Sequence, residues 1–264
     1  MTRRVAGMSV LITGASAGIG AALARELHRR GARLALTARR ADRLAEVARD
    51  CGDALVLPAD QGDTAAAAEV VRQAHAHFGR LDTVVLNAGY GLARLAETTS
   101  DEDWLSILRV NLLGTAAGLR AAVPLLRAQP LCDGWRGQVM IVSSSLARRA
   151  APDTAAYSAT KAAQLSLAEA ARVELAPERI AVTTVHPVRT TTEFFDSCAH
   201  ASGRPMQFAG RVPTQTPEQV ARSMADAIAR PRPEVWSHRS SRWLLLFAAM
   251  CPSIADRIMA GHRR

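Results

Sequence analysis

The chain has 264 residues, enough for a large α/β domain with a full core, and carries 33 Lys and Arg against 24 Asp and Glu, a formal charge of +9. Its arginines are scattered, with no zinc-ligand pattern, aromatic-rich RNA motif or basic heptad region, so the charge argues against nucleic-acid binding and for attraction of a small anionic cofactor. Cys51, Cys132, Cys198 and Cys251 form no C-x-x-C pair and no metal-ligand spacing, which predicts free thiols in a reducing compartment and no metal site. The N-terminus runs directly into a strand and a glycine turn, leaving no room for an apolar signal segment, so the expected localisation is cytoplasmic.

Strand-like and helix-like stretches alternate from residue 9 to about residue 238 without a linker, the pattern of an α/β domain over 1–238 with a C-terminal extension over 239–264. The apolar run Ser9 to Thr13 leads into Gly14-Ala15-Ser16-Ala17-Gly18-Ile19-Gly20, and a helix is predicted over Ala21 to Arg30. A glycine turn between strand and helix lets backbone approach a pyrophosphate with the positive helix end facing it, which makes a dinucleotide site the expectation. The second strand, Arg33 to Thr37, ends in Ala38-Arg39-Arg40, where an acidic residue would bind a free ribose 2′-hydroxyl and an arginine a 2′-phosphate. Arg39 and Arg40 therefore point to NADP(H) over NAD(H).

A third strand is expected over Ala54 to Ala59, with Asp60 at its end placed to bond the adenine amino group, and a helix over Thr64 to Phe78. The fourth strand, Leu81 to Leu86, ends in Asn87-Ala88-Gly89, small residues over which a cofactor can lie flat. A long helix over Asp103 to Arg127 carries Asn111 in its middle, where a weak helix former is unusual. Its side chain, or a carbonyl freed at a local kink, has a task there, or it simply faces solvent. Gln138 to Val142 is the fifth strand, with Ser143-Ser144-Ser145 at its carboxyl end, where open parallel sheets place their chemistry.

The helix Ala155 to Leu175 carries Tyr157 and Lys161, four residues apart and so on one face. The chain has only two tyrosines, and Lys161 is its only lysine. A cation beside a phenol favours the phenolate and brings its pKa from about 10 toward the range of a general acid/base. The alanines of this helix suit contact with another helix, so a homo-dimer or homo-tetramer built on it is expected. Ile180 to Val185 is the sixth strand, and His186-Pro187 opens a long segment to about Val212, a candidate lid. A helix over Pro217 to Ala229 and a last strand over Glu234 to Ser237 follow.

Thr13-Gly-Ala-Ser-Ala-Gly-Ile-Gly20, Asp60, Asn87-Ala-Gly89, Asn111, Ser144 and Tyr157-x-x-x-Lys161, in this order and spacing, resemble the short-chain dehydrogenase/reductase family across nearly the whole chain. The resemblance implies a Rossmann-type doubly wound fold with a seven-stranded parallel sheet, a nicotinamide cofactor, and interconversion of a carbonyl and a secondary alcohol. It implies a tetrad of Ser144, Tyr157, Lys161 and Asn111. Tyr157 is then the acid/base, Lys161 lowers its pKa and holds the nicotinamide ribose, Ser144 orients the substrate oxygen, and Asn111 anchors a water that relays protons from Lys161. The same resemblance leaves two rivals, an epimerase or dehydratase on the same site and a non-catalytic NADP-binding sensor or scaffold.

One departure stands out. Where the family shows Pro-Gly-x-Val-x-Thr, this chain reads Pro187-Val188-Arg189-Thr190-Thr191-Thr192. Losing the glycine puts a β-branched residue where the backbone approaches the carboxamide, although Val188 and Thr190 still offer backbone contacts and Thr192 matches the motif's threonine. The C-terminal run Trp243 to Cys251, flanked by arginines, is too short to span a bilayer. It fits a membrane interface, a cover over the substrate cleft or a subunit contact. Its apolar residues suggest a hydrophobic small-molecule substrate.

Overall fold

The computed structural model describes residues 2–52, 54–202 and 214–260. The apolar runs become strands β1 (Ser9–Thr13), β2 (Arg33–Thr37), β3 (Leu55–Val56), β4 (Thr83–Leu86), β5 (Gly137–Val142), β6 (Ile180–Val185) and β7 (Glu234–Val235). They form one parallel sheet of seven strands in the order β3-β2-β1-β4-β5-β6-β7. Helices cover both faces, which is why the strands read as continuous apolar runs rather than alternating ones.

Successive residues of β1 serve opposite faces. Val10 and Ile12 join Leu23 and Leu27 of α1 (Gly18–Arg29) and Val220, Met224 and Ile228 of α8 (Pro217–Ala229). Leu11 joins Val71 of α3 (Thr64–Phe78), Leu119 and Leu126 of α5 (Gly114–Ala128), and Ala168 and Leu175 of α6 (Ala155–Leu175). Each fully buried leucine or isoleucine contributes about 1.5–3 kcal/mol relative to exposure, so the sheet is held from both sides. The chain leaves β1 toward β2 and β3, then returns to lay β4 on the other side of β1. This reversal opens a crevice at the carboxyl ends of β1 and β4, the place for a ligand in such sheets.

Several boundaries differ from the sequence expectation. Helix α1 begins at Gly18 rather than Ala21, because the last glycines of the motif belong to its first turn. Only Leu55 and Val56 of the expected third strand pair in the ladder. Pro58 has no N–H to give, yet Leu57 and Ala59 still donate to Leu36 and Ala38 at 2.9 and 3.1 Å, so the segment stays alongside β2. The last strand is likewise short, Glu234–Val235. Helix α2 (Ala41–Asp50), for which the sequence reading gave no bounds, follows β2.

The long helix expected over 103–127 is broken. Helix α4 (Asp101–Leu108), capped by Ser100 and Asp103, passes into a wide π-turn at Arg109–Leu113 before α5 resumes. Asn111 sits in that turn, fully buried, so the kink reading holds and the solvent-facing one does not. The connection after β6 carries α7 (Phe194–Ser202), and the remainder of the candidate lid, 203–212, lies outside the described residues. At the C-terminus, α9 (Arg239–Met250) and α10 (Pro252–Ala260) meet at a 107° bend, and no single described helix is long and apolar enough to cross a membrane.

Gly114, the first residue of α5, abuts Gln61: a Cβ there would lie 2.1 Å from the Gln61 carbonyl oxygen. Gly114→Ala is expected to lower unfolding free energy by about 1–3 kcal/mol, seen as a reduced urea midpoint with an unchanged m value. An unchanged midpoint would contradict this close backbone approach.

Candidate active site

The carboxyl ends of β1, β2, β4, β5 and β6 all open onto one cavity of about 670 Å³. Gly14, Ser16, Gly18, Ile19, Arg39, Arg40, Asp60, Asn87, Ala88 and Gly89 line one part of it, and Ser144, Tyr157, Lys161, Pro187, Val188, Thr190 and Thr192 another. The glycine turn is shaped by contact. A Cβ on Gly20 would sit 2.3 Å from the Gly14 carbonyl oxygen, and Gly14 itself needs φ of +66°. Ala17, the residue before α1, supplies no side-chain cap, so the first N–H groups of α1 are left for a ligand. An uncapped helix start in a glycine cradle fits the pyrophosphate of a dinucleotide.

Asn87 is spent on this cradle rather than on the cavity floor. Its Nδ2 donates to the Thr13 carbonyl at 2.8 Å, and the backbone N–H groups of Asn87 and Ala88 both donate to Thr13 Oγ1 at 2.9 Å. Asp60 accepts from Gly62 N at 2.9 Å and is otherwise exposed to the cavity. Arg39 has no hydrogen bond or ion pair among the described residues, whereas Arg40 pairs with Glu193 at 3.1 Å. Val188 is not among the non-glycine residues at positive φ, so the valine in place of the family glycine is accommodated without backbone strain. Thr192 packs against Gly18: a Cβ on that glycine would lie 3.2 Å from Thr192 Cγ2.

Of the neighbouring serines, Ser143 donates to the Lys161 carbonyl at 2.7 Å and anchors α6. Ser144 Oγ accepts from Leu146 N at 3.1 Å and keeps its own proton to give, with Tyr157 beside it. Tyr157 is 7% exposed, with its ring 5.6 Å from that of Phe194. Lys161 Nζ stands 5.7 Å from the Tyr157 ring centre and donates to the Val142 carbonyl at 2.9 Å. Asn111 braces this corner with its side chain: Oδ1 accepts from Tyr90 N at 3.0 Å, and Nδ2 donates to the Tyr90 carbonyl at 3.0 Å and to Thr160 Oγ1 at 3.1 Å. The fully buried His186 stacks on Trp236 at 4.4 Å and places Nδ1 3.2 Å from the Ser144 carbonyl, and burial pulls its pKa down.

A family model described as short chain dehydrogenase matches residues 8–202. The chain belongs to the short-chain dehydrogenase family. It is 31% identical over 261 residues to an 11-beta-hydroxysteroid dehydrogenase-like protein of Arabidopsis thaliana, covering 97% of this chain and 81% of that one. A short chain dehydrogenase from Burkholderia cenocepacia in complex with NADP is 27% identical with a TM-score of 0.74, covering 86% of this chain and 92% of that one. A 3-ketoacyl-(acyl-carrier-protein) reductase from Brucella melitensis complexed with NADH is 28% identical with a TM-score of 0.74, covering 89% and 99%. This short-chain dehydrogenase is therefore an NAD(P)(H)-dependent oxidoreductase of carbonyl and alcohol groups, on the seven-stranded Rossmann-type fold that the motifs implied.

Two expectations about the site need correction. The first concerns charge: burial pushes the Tyr157 phenol up to about 12, outweighing its hydrogen bond from Ser144, and pulls Lys161 down to about 7. Lysine thus loses its charge before the phenol would ionise, and on its own it does not bring Tyr157 into a working range. The second concerns Asn111, whose carbonyl is bonded not to an open site but to Gln164 Nε2 at 2.5 Å and Thr115 Oγ1 at 2.8 Å. Gln164 went unnoticed in the sequence, although its place three residues after Lys161, on the same helical face, could have revealed it. Also unforeseen was Arg149, which lines the cavity and ion-pairs with Asp256 of α10, tying the C-terminal helices to the segment after Ser144.

Lysine ordinarily titrates at 10.5, and the folded value of about 7 means that between these limits the unfolded chain binds the extra proton. Stability contributed by this site therefore rises with pH across that window, and the cost of the buried cation is full below about 7. Lys161→Met is expected to be inactive yet more stable without cofactor, by on the order of 1–3 kcal/mol at pH 6–7, with the gain fading toward pH 10. Denaturant titrations at both pH values measure this; a gain independent of pH would contradict it.

Proposed function

We propose that the protein is an NADP(H)-preferring carbonyl reductase/alcohol dehydrogenase for a small apolar substrate, with Tyr157 as its acid/base. The observation that carries this reading is Tyr157 beside Ser144 at the cavity wall, with Lys161 on the same helical face. Tyr157 gives its proton to a carbonyl oxygen in reduction and takes one from an alcohol in oxidation. Ser144, with one proton to give, orients the substrate oxygen, and Lys161 turns its remaining N–H toward the cavity, where a ribose hydroxyl would meet it. A nicotinamide held there would supply or accept the hydride, and the charge of its oxidised ring would favour the phenolate. Asn111 acts from behind, as a positioning residue for the turn that carries Tyr157.

The NADP(H) preference rests on Arg39, a cavity-lining guanidinium with no described partner at the end of β2. The apolar substrate rests on the far side of the cavity, where Phe194, Phe195, Leu244, Leu245, Ala248 and Met259 converge, and the steroid in a relative's name points the same way. Nicotinamide absorbance over a panel of ketones and alcohols tests both. Tyr157→Phe should lower kcat by about 10²–10⁴-fold while cofactor still binds. Arg39→Ala should weaken NADPH about 10-fold or more with NADH little changed. Retained turnover in the first variant, or equal losses for both cofactors in the second, would remove the respective assignment.

The C-terminal helices cover the cavity from one side and bare their other side. Trp243, Phe247 and Met250 form an exposed stripe on α9, continued by Ile254 on α10, with Arg239, Arg242 and Arg257 also exposed on these helices. This pattern supports peripheral contact with an anionic membrane surface from the cytoplasmic side. The outward face of α6, with Ala159, Ala162, Ala170 and the 76% exposed Val173, supports a homo-oligomer. Sedimentation with and without anionic vesicles checks both: salt-sensitive co-sedimentation and an oligomer in solution are expected, while a free monomer under both conditions would remove both.

A further inference from the structure

Next to the reactive pair lies a buried amide that the reaction as described does not use. Gln164 lies on α6 three residues beyond Lys161 and is fully buried. Its Nε2 donates to the Asn111 carbonyl at 2.5 Å and to Thr115 Oγ1 at 2.9 Å, and its Oε1 accepts from Lys161 Nζ at 2.9 Å. Thr115 Oγ1, having accepted from Gln164, donates to the same Asn111 carbonyl at 2.8 Å. The bonding fixes the amide orientation, since the reverse would set oxygen against oxygen at Asn111 and an N–H against the lysine.

Two consequences follow from counting donors and acceptors. A carbonyl oxygen has two lone pairs, and Asn111 gives both to side chains, which leaves no place for a water between it and Lys161. Lys161 gives two of its three N–H bonds to the carbonyl of Val142 and to Gln164, so the third faces the cavity. A primary amide holds both its protons, so the inner side of Lys161 ends in a group that fixes its place but passes no proton on.

We propose that Gln164 is a positioning residue that takes the place of a relay water, locking Lys161 against the Asn111 carbonyl and directing proton exchange of the Tyr157–Lys161 pair to the cavity side. This rests on the site reading above. Without the amide, Lys161 loses an acceptor that supports its ammonium form and its fixed location, and the phenolate of Tyr157 is less favoured. With a carboxylate there instead, the lysine charge is neutralised from behind, and the phenolate again loses support.

The test is the pH profile of kcat for alcohol oxidation in the wild type, Gln164→Leu and Gln164→Glu, with melting temperature followed in parallel. Both variants should move the midpoint of the acidic limb upward by about one pH unit or more, with kcat reduced about 10-fold or more and the cofactor KM changed only a few-fold. Gln164→Glu keeps the side-chain length and carries the test if Gln164→Leu does not fold. Midpoints that superimpose on the wild type while melting temperature falls would overturn the proposal and leave Gln164 as a packed polar side chain. Tyr157→Phe separates the two levels: retained turnover in that variant sinks the site reading and this inference with it, whereas an inactive Tyr157→Phe with unmoved midpoints sinks only the role of Gln164.

Discussion

The interaction on which the site depends is the seating of Asn111 between two helices. A π-turn widens the helix at Arg109–Leu113, and Asn111 uses every polar atom of its side chain and its carbonyl to grip α6 and the Tyr90 backbone. A regular helix would have kept that carbonyl for its own i+4 amide. Breaking the ladder at this one place lets the π-turn and α5 hold Thr160 and Gln164, and through them the turn that carries Tyr157 and Lys161.

The same burial that orders the pair opposes its chemistry. Removing a phenol and an ammonium from water favours the neutral form of both, and the structure bears this in the upward displacement of Tyr157 and the downward displacement of Lys161. The hydrogen bonds of Lys161 to Val142 and Gln164 hold geometry without restoring charge. On the function proposed above, a charged nicotinamide ring in the cleft would tilt the balance toward phenolate and so link cofactor binding to acid/base competence.

Much of this was legible in the sequence, because its signals were local. The strand-glycine-helix stretch, the arginines after β2 and the Tyr157–Lys161 spacing each need only a few neighbouring residues to be read, and their order along the chain gave the family. Asn111 announced itself as a weak helix former in the wrong place. What escaped was set by partners distant in sequence. Asn87 is drawn to Thr13 across 74 residues, Gln164 to Asn111 across 53, and Arg149 to Asp256 across 107. The sign of the Tyr157 displacement escaped for a related reason. A sequence shows that a lysine is near, but not that both groups are buried deeply enough for desolvation to outweigh it.

The most direct measurement is a spectroscopic titration of the Tyr157 phenol, taken as the phenolate absorbance of the wild type minus that of Tyr157→Phe, in a chain with only one other tyrosine. Without cofactor, the account predicts a phenolate that forms only well above the ordinary value of 10, near 12, and with oxidised cofactor bound, a midpoint lowered by two units or more, about the scale of a nearby charge. A phenol that already titrates near neutrality in the free protein, or one whose midpoint ignores the cofactor, would contradict it.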